Sequence, residues 1–166
     1  MASGTKATKP KRKKSRRRPP EEFVDYVVEI DGWDWGYSFS LNTERQPIGP
    51  YDEFRHLQVR GRMLRPTGLP TGRAEITLLP SFDLDGDRRK DLRPIALGSL
   101  GLGQDGISGN IGIPWDALMP LLQMLIGDRL KFILMRGTKF RHRSAKLNSL
   151  RLETMLKEDD LSTDTG

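Results

Sequence analysis

Two stretches of this chain hold residue types able to act on something outside it. The first is "KPKRKKSRRR", residues 9–18, where Lys11, Arg12, Lys13, Lys14, Arg16, Arg17 and Arg18 crowd together without an acidic neighbour. Such a run binds phosphates by releasing their counterions, and contact with roughly five to eight phosphates gives a log–log salt slope of about −4 to −7. It carries no base preference, because phosphate contacts position a ligand and only base-edge or stacking contacts specify it. The same run also fits a solubilising tail, or a nuclear import signal in a host with a nucleus.

The second stretch is "EIDGWDWGYSFSL", residues 29–41, where Trp33, Trp35, Tyr37 and Phe39 recur on every second position. A base-stacking platform needs open rings flanked by cations. Here Asp34, Gly36, Ser38 and Ser40 interleave, and no Lys or Arg stands between Asp31 and Asn42. A strand with one apolar and one small, polar face is expected to bury the apolar one. Each ring would then contribute about 1.5 to 3 kcal/mol. The alternation therefore predicts core, with a cleft beside Trp33 and Trp35 for a sugar, an apolar ligand or a partner as the alternative.

Weaker signals lie in the body. Arg60 and Arg62 share a strand face with His56 and Gln58, while Arg136, Lys139, Arg141, Arg143 and Lys146 surround a late hairpin. Arg60, Arg62, Arg141 and Arg143 are secondary candidates for nucleic-acid contact. Read structurally, they form ordinary outward faces, with Glu75 placed to pair with Arg60 or Arg62 and basic residues guarding a sheet edge. "DLDGDRRKD" sets Asp83, Asp85 and Asp87 on alternate positions, yet glycine stands fourth instead of sixth and Pro94 replaces the bidentate glutamate of a calcium loop. A hydrated turn with internal ion pairs is expected there, and no metal or cofactor. His56 and His142 lie outside any nucleophile, zinc-protease or phosphate-loop motif, and "GSLGLGQDG" has Leu100 where a dinucleotide fingerprint needs its first glycine. The chain is read as non-enzymatic.

Length and charge frame these residues. The 166 residues suit one domain, and with no cysteine there is no disulfide, thiolate nucleophile or Cys-ligated metal. Pro19, Pro20, Glu21 and Glu22 follow the basic run where a signal peptide would turn apolar, so a cytoplasmic location is expected, with a nuclear or nucleoid-associated one as the alternative. The net charge of +6 hides a pattern: residues 1–20 carry nine cations and no acid, residues 21–127 ten against 16, residues 128–151 eight against one, and residues 152–166 one against five.

The organisation expected is a disordered basic arm at 1–20, a single β-rich domain at 21–156 and a disordered acidic tail at 157–166. Within the domain the dominant period is two. Val24, Tyr26, Val28 and Ile30 share a face, and Asp31-Gly32 reads as a type I′ turn leading into Trp33–Leu41. "NTERQPIGPYDE" reads as a loop; Leu57, Val59, Gly61 and Met63 alternate with polar residues, and Ala74, Ile76 and Leu78 return the chain. "PIALGSLGL", "GISGNIGI" and "LKFILM" read as further strands, and "RGTK" as the turn into a last strand. One helix is expected near 115–126, with Asp116 as N-cap, Gly127 past its end, and Pro120 making its first turn irregular or its start late.

About eight short strands and one helix predict a mostly β fold, an antiparallel sandwich or partly open barrel, with an α+β sheet as runner-up. The function expected is that of an accessory or adaptor domain whose arm binds a polyanion, most plausibly nucleic acid. The alternatives are a protein-interaction module in which the arm only solubilises or targets, and a ligand-binding barrel or enzyme with a cleft near Trp33 and Trp35. The opposite charges of the two end blocks motivate the hypothesis that the acidic tail competes for the arm, which the sequence by itself does not decide.

Overall fold

The computed structural model describes residues 21–43, 49–86, 96–157 and 160. The arm with Lys11 to Arg18, the segment 87–95 with Asp87 and Pro94, and the end of the tail lie outside the described residues. The fold is mostly β: seven strands close into a ring, accompanied by one helix. They are β1 (Phe23–Leu41), β2 (Tyr51–Arg65), β3 (Arg73–Ser81), β4 (Gly98–Leu102), β5 (Ile107–Pro114), β6 (Phe132–Thr138) and β7 (Ser144–Glu153), with α1 (Leu118–Ile126) between β5 and β6. Around the barrel the order is β1-β2-β3-β5-β4-β7-β6. All neighbours are antiparallel except β3 and β5, which run parallel from Ala74↔Ile107 to Ser81↔Pro114.

Period two gives the barrel its inside. Tyr26 and Val28, Leu57 and Val59, Ala74, Ile76 and Leu78, Ile107 and Ile111, Ile133 and Met135, Ala145 and Leu147 are all buried in one cluster. Leu118, Leu122 and Leu125, spaced to share one side of α1, join that cluster and close one end of the ring. Pro120 is accommodated because a 3-10 turn at Trp115–Ala117 precedes the helix, which then starts at Leu118. Proline falls at the third helical position, where the missing N–H would have had no partner within the helix. The expected cap is corrected: Ala117 occupies the N-cap position and Asp116 makes no capping bond. At the other end the Gly127 N–H bonds to the Gln123 carbonyl, while Asp128, at φ 54°, takes the left-handed position.

Asp31-Gly32 is likewise not a hairpin. β1 runs unbroken for 19 residues, and a register shift between Ile30 and Gly32 opposite Gly61 and Arg60 absorbs Asp31 as a bulge. A bulge bends the strand and increases its twist, which ring closure requires. "RGTK" is also not a turn, since Arg136, Gly137 and Thr138 belong to β6. Tyr51, Asp52 and Glu53, expected in a loop, open β2.

Tyr26 shows how the barrel treats a polar tip in its core. The ring is fully buried, packs edge-on to Phe140 at 5.5 Å and donates its hydroxyl proton to the Thr138 carbonyl at 2.7 Å. Burial pushes its phenol up to about 12. The folded state thus holds this proton more tightly than an unfolded tyrosine at about 10, so the stabilisation is complete below pH 10 and is lost as pH rises through 12. Tyr26→Phe is expected to lower stability by about 1 kcal/mol at pH 7, with the difference from the parent shrinking above pH 10. Urea midpoints from pH 7 to 11.5 would check this, and a constant difference would contradict it.

Candidate functional site

The barrel's two ends differ in kind. At the first lie the start of β1, the β2–β3 connection, the β4–β5 turn and the β6–β7 turn. This end gathers cations from distant parts of the sequence. Arg65 and Arg73 flank the β2–β3 connection, and Lys139, Arg141, Arg143 and Lys146 surround the β6–β7 turn. The turns touch: Arg143 donates its Nε–H to the Leu102 carbonyl at 2.8 Å, and the Leu102 N–H bonds back to the Arg143 carbonyl. Arg73 packs beside Gly106 of the β4–β5 turn. Lys139 bonds Glu22 through both its backbone N–H and its ammonium, at 2.9 and 3.2 Å, so the chain leaves toward residues 1–20 directly beside this turn. A cleft of about 360 Å³ opens here between Lys139, Phe140, Arg141, Ser144, Lys146 and Glu22.

The β6–β7 turn is built at a conformational cost. Arg141 and Ser144 exchange both backbone bonds, at 2.8 and 3.1 Å, leaving His142 and Arg143 as a two-residue loop with φ of 51° and 66°. Positive φ at both positions is the type I′ geometry that Asn-Gly fills most cheaply, and an ordinary side chain there costs on the order of 1 kcal/mol. Among the described residues, Arg65, Arg73, Arg141 and Lys146 form no ion pair.

Of the body candidates, then, Arg141 and Arg143 come to this end, and Arg62, opposite Arg73 across the ladder, and Arg60, two pairs further along, border it. The latter two lie on the barrel's flank, where Arg62 pairs with Glu29 at 2.7 Å and Arg60 shares a shallow cleft with Asp31 and Glu75. The expected pairing of Glu75 is corrected too: it accepts from Gln58 Nε2 at 2.9 Å. Lys139 and Lys146 were legible as basic residues near the last hairpin. Arg65 and Arg73 were not, because seven residues of loop separate them from each other and more than sixty from the β6–β7 turn.

The opposite end carries α1 and a projecting ribbon. β3 pairs with β2 only from Leu57 to Arg62, and β6 pairs with β1 only from Phe23 to Glu29. Beyond Trp35↔Leu57, β1 and β2 therefore continue alone to Leu41↔Tyr51. The expectation that Trp33, Trp35, Tyr37 and Phe39 form buried core is corrected here. Trp33 packs on the core, whereas Trp35, Tyr37 and Phe39 are about half exposed, as are Tyr51 and Phe54. The alternation did mark the inward face, which Leu57 and Val59 share; past the end of the ring that face has no opposite wall.

What covers it in part is a stack. The Asp85 carboxylate accepts the Trp115 backbone N–H at 2.6 Å and anchors the start of the turn that carries this side chain. Phe82 stacks on Trp115 at 3.9 Å, and the Arg55 guanidinium lies 4.0 Å from the same indole and 5.2 Å from the Tyr37 ring. Glu53 pairs with Arg55. "DLDGD" is thus more than a hydrated turn, since Asp85 anchors the neighbouring connection. On the ribbon's other face the His56 ring lies across Gly36, where a Cβ would fall 2.2 Å from its Cε1, beside Phe54 at 5.3 Å. A cleft of about 330 Å³ adjoins Trp33, between Ile30, Asp31, Leu125 and Leu130, and Trp35 is not part of it.

Of the expected tail, Lys157 and Asp160 are described. Asp160 accepts from the Lys157 N–H and from Arg151, at 3.1 and 2.6 Å, and these bonds hold its carboxyl below the usual range. Among the described residues no group of His, Asp or Glu side chains could hold a metal ion, and no helix is long and apolar enough to cross a membrane. No protein-family model, curated protein or solved structure matches the chain.

Proposed function

We propose that this protein is a non-enzymatic accessory domain that holds a polyanion, nucleic acid by preference, at the basic end of its barrel. Residues Lys11 to Arg18 supply most of the attraction, and Lys139, Arg141, Arg143 and Lys146 with Arg65 and Arg73 form the fixed surface to which they deliver it. The observation that carries this reading is the β6–β7 turn. Two residues with long side chains occupy left-handed positions in a cationic loop, beside the point where the basic arm joins the barrel. Backbone strain retained at such a place is expected where the side chains have work to do. A phosphate backbone suits a surface of cations with no acceptor array for base edges. The cytoplasm or a nucleoid is the matching location.

Salt titration of binding to a short duplex and a matched single strand tests the reading. Arg141→Glu with Lys146→Glu should weaken binding to both by on the order of 10-fold or more at 0.1 M salt and flatten the slope by about two units. Unchanged affinity and slope would remove the fixed surface from the proposal. Replacing the turn by His142→Asn with Arg143→Gly should do the reverse to stability and affinity: a gain of about 1 to 2 kcal/mol from relieved strain, and a slope smaller by about one unit. Urea midpoints and the same titration read both effects.

A further inference from the structure

The ribbon face of Trp35, Tyr37, Phe39, Leu41 and Tyr51 gathers five of the exposed large apolar residues among the described ones, and these residues are 49%, 51%, 57%, 69% and 57% exposed. At roughly half of 150–250 Å² each, they present on the order of 500 Å² of apolar surface. That is at the upper end for a monomer's largest patch, and with a polar rim it approaches the ~800 Å² per partner of a stable interface. We infer that this face is a homodimer interface, in which the ribbon of one copy packs against the ribbon of a second across a two-fold axis.

Three features choose a second copy over other occupants. A two-fold contact sets a face against itself, so a charged face would repel its own copy. Among the described residues, the only charged ones on the aromatic face of the ribbon are Glu53 and Arg55, which pair with each other, whereas the reverse face holds Asp34 and Asp52 and the far end of the barrel is cationic. Next, from Asp31 to Leu41 the outer edge of β1 has no ladder partner among the described residues and contains no Lys, Arg or Pro, the usual guards against pairing with another chain. Last, nucleic acid is disfavoured. Arg55, the one cation among the rings, is engaged by Glu53, Trp115 and Tyr37, and Phe39 and Tyr51 stack on each other at 5.1 Å. The cationic run of the chain's own arm is anchored too near the barrel's other end to reach it. Residues 11–18 lie within ten residues of Glu21, a reach of about 35 Å, while β1 needs about 40 Å to climb from Phe23 to Trp35.

The test is sedimentation equilibrium of the nuclease-treated full chain from about 1 to 100 µM, at 0.15 and 0.5 M salt. A concentration-dependent rise from 18.9 kDa toward twice that mass, insensitive to salt, is expected. Phe39→Glu, far from the barrel core, should raise the dimer dissociation constant by on the order of 100-fold or more, because the charge enters the interface from both copies. Ser38→Glu, on the reverse face, should leave it unchanged. A chain monomeric at 100 µM overturns the inference, as does association lost with nuclease or salt, or a Phe39→Glu chain that dimerises like the parent. A monomeric chain whose tryptophan fluorescence is quenched by a single-stranded oligonucleotide would reassign the ribbon to stacking. The expected salt-insensitive dimer does not involve the arm, so it stands or falls apart from the polyanion reading.

Discussion

A chain lacking residues 1–20 is expected to bind a short duplex about 10⁴-fold more weakly than the full chain at 0.1 M salt. The reasoning is electrostatic. The deleted segment carries nine cations and no acid. If five to eight of them each displace a counterion, affinity falls by roughly four to seven decades for each decade of salt. Near 1 M that contribution vanishes, so its full size at 0.1 M is the slope itself, of which about four decades is the lower end. The remaining barrel keeps Lys139, Arg141, Arg143 and Lys146, set against Glu21, Glu22 and Asp25, with Glu22 bonded to Lys139 and Asp25 3.8 Å from Arg136. It should retain weak binding with a slope of about −1 to −2. Equal affinity with and without the segment would sink the proposed function; a truncated barrel that prefers the single strand would move the binding surface to the ribbon.

Gly61→Ala is expected to destabilise the barrel by about 3 kcal/mol or more, against a total of about 5–15 for a domain of this size. Gly61 is buried and stands opposite Ile30, at the bulge where β1 bends over β2. A Cβ there would lie 2.0 Å from the Glu29 carbonyl oxygen and 2.9 Å from Val28 Cγ1. The first contact is with backbone, which cannot swing aside as a side-chain tip would, so relief requires reopening the bend that closes the ring. Gly49→Ala, with nothing within 4 Å of its Cβ, is the control and should be neutral within about 0.5 kcal/mol. Urea denaturation of the two variants decides the matter, and similar midpoints would show the bend to be soft.

Gly61 also illustrates what could be read early. Its place among Leu57, Val59 and Met63 showed that it faces inward, but nothing local showed that the Glu29 carbonyl of the neighbouring strand would press on it. Asp31-Gly32 has the composition of a type I′ turn and serves as a bulge, because β2 pairs with β1 on both sides of it and keeps the strand running. The true type I′ turn, His142-Arg143, lacks that composition, and forms because Arg141 and Ser144 close on each other through both backbone bonds while Ser144 pairs with Gly101. Local chemistry proposes a turn, and pairing partners that are distant along the chain dispose of it. The candidate site follows the same division. The cationic arm and the basic late hairpin are plain in the order of residues, while their meeting with Arg65 and Arg73 depends on a ring order that places three turns and the start of β1 at one end.

By itself the sequence determined the class of the fold, the inward set of residues on its strands, the single helix and the uneven charge, since each rests on period, propensity or composition, and all three act within a few residues. Only the tertiary structure decided which inward faces are covered. Trp35, Tyr37 and Phe39 obey the same alternation as Leu57 and Val59, yet burial needs an opposing wall, and β3 and β6 part from β2 and β1 before the ribbon begins.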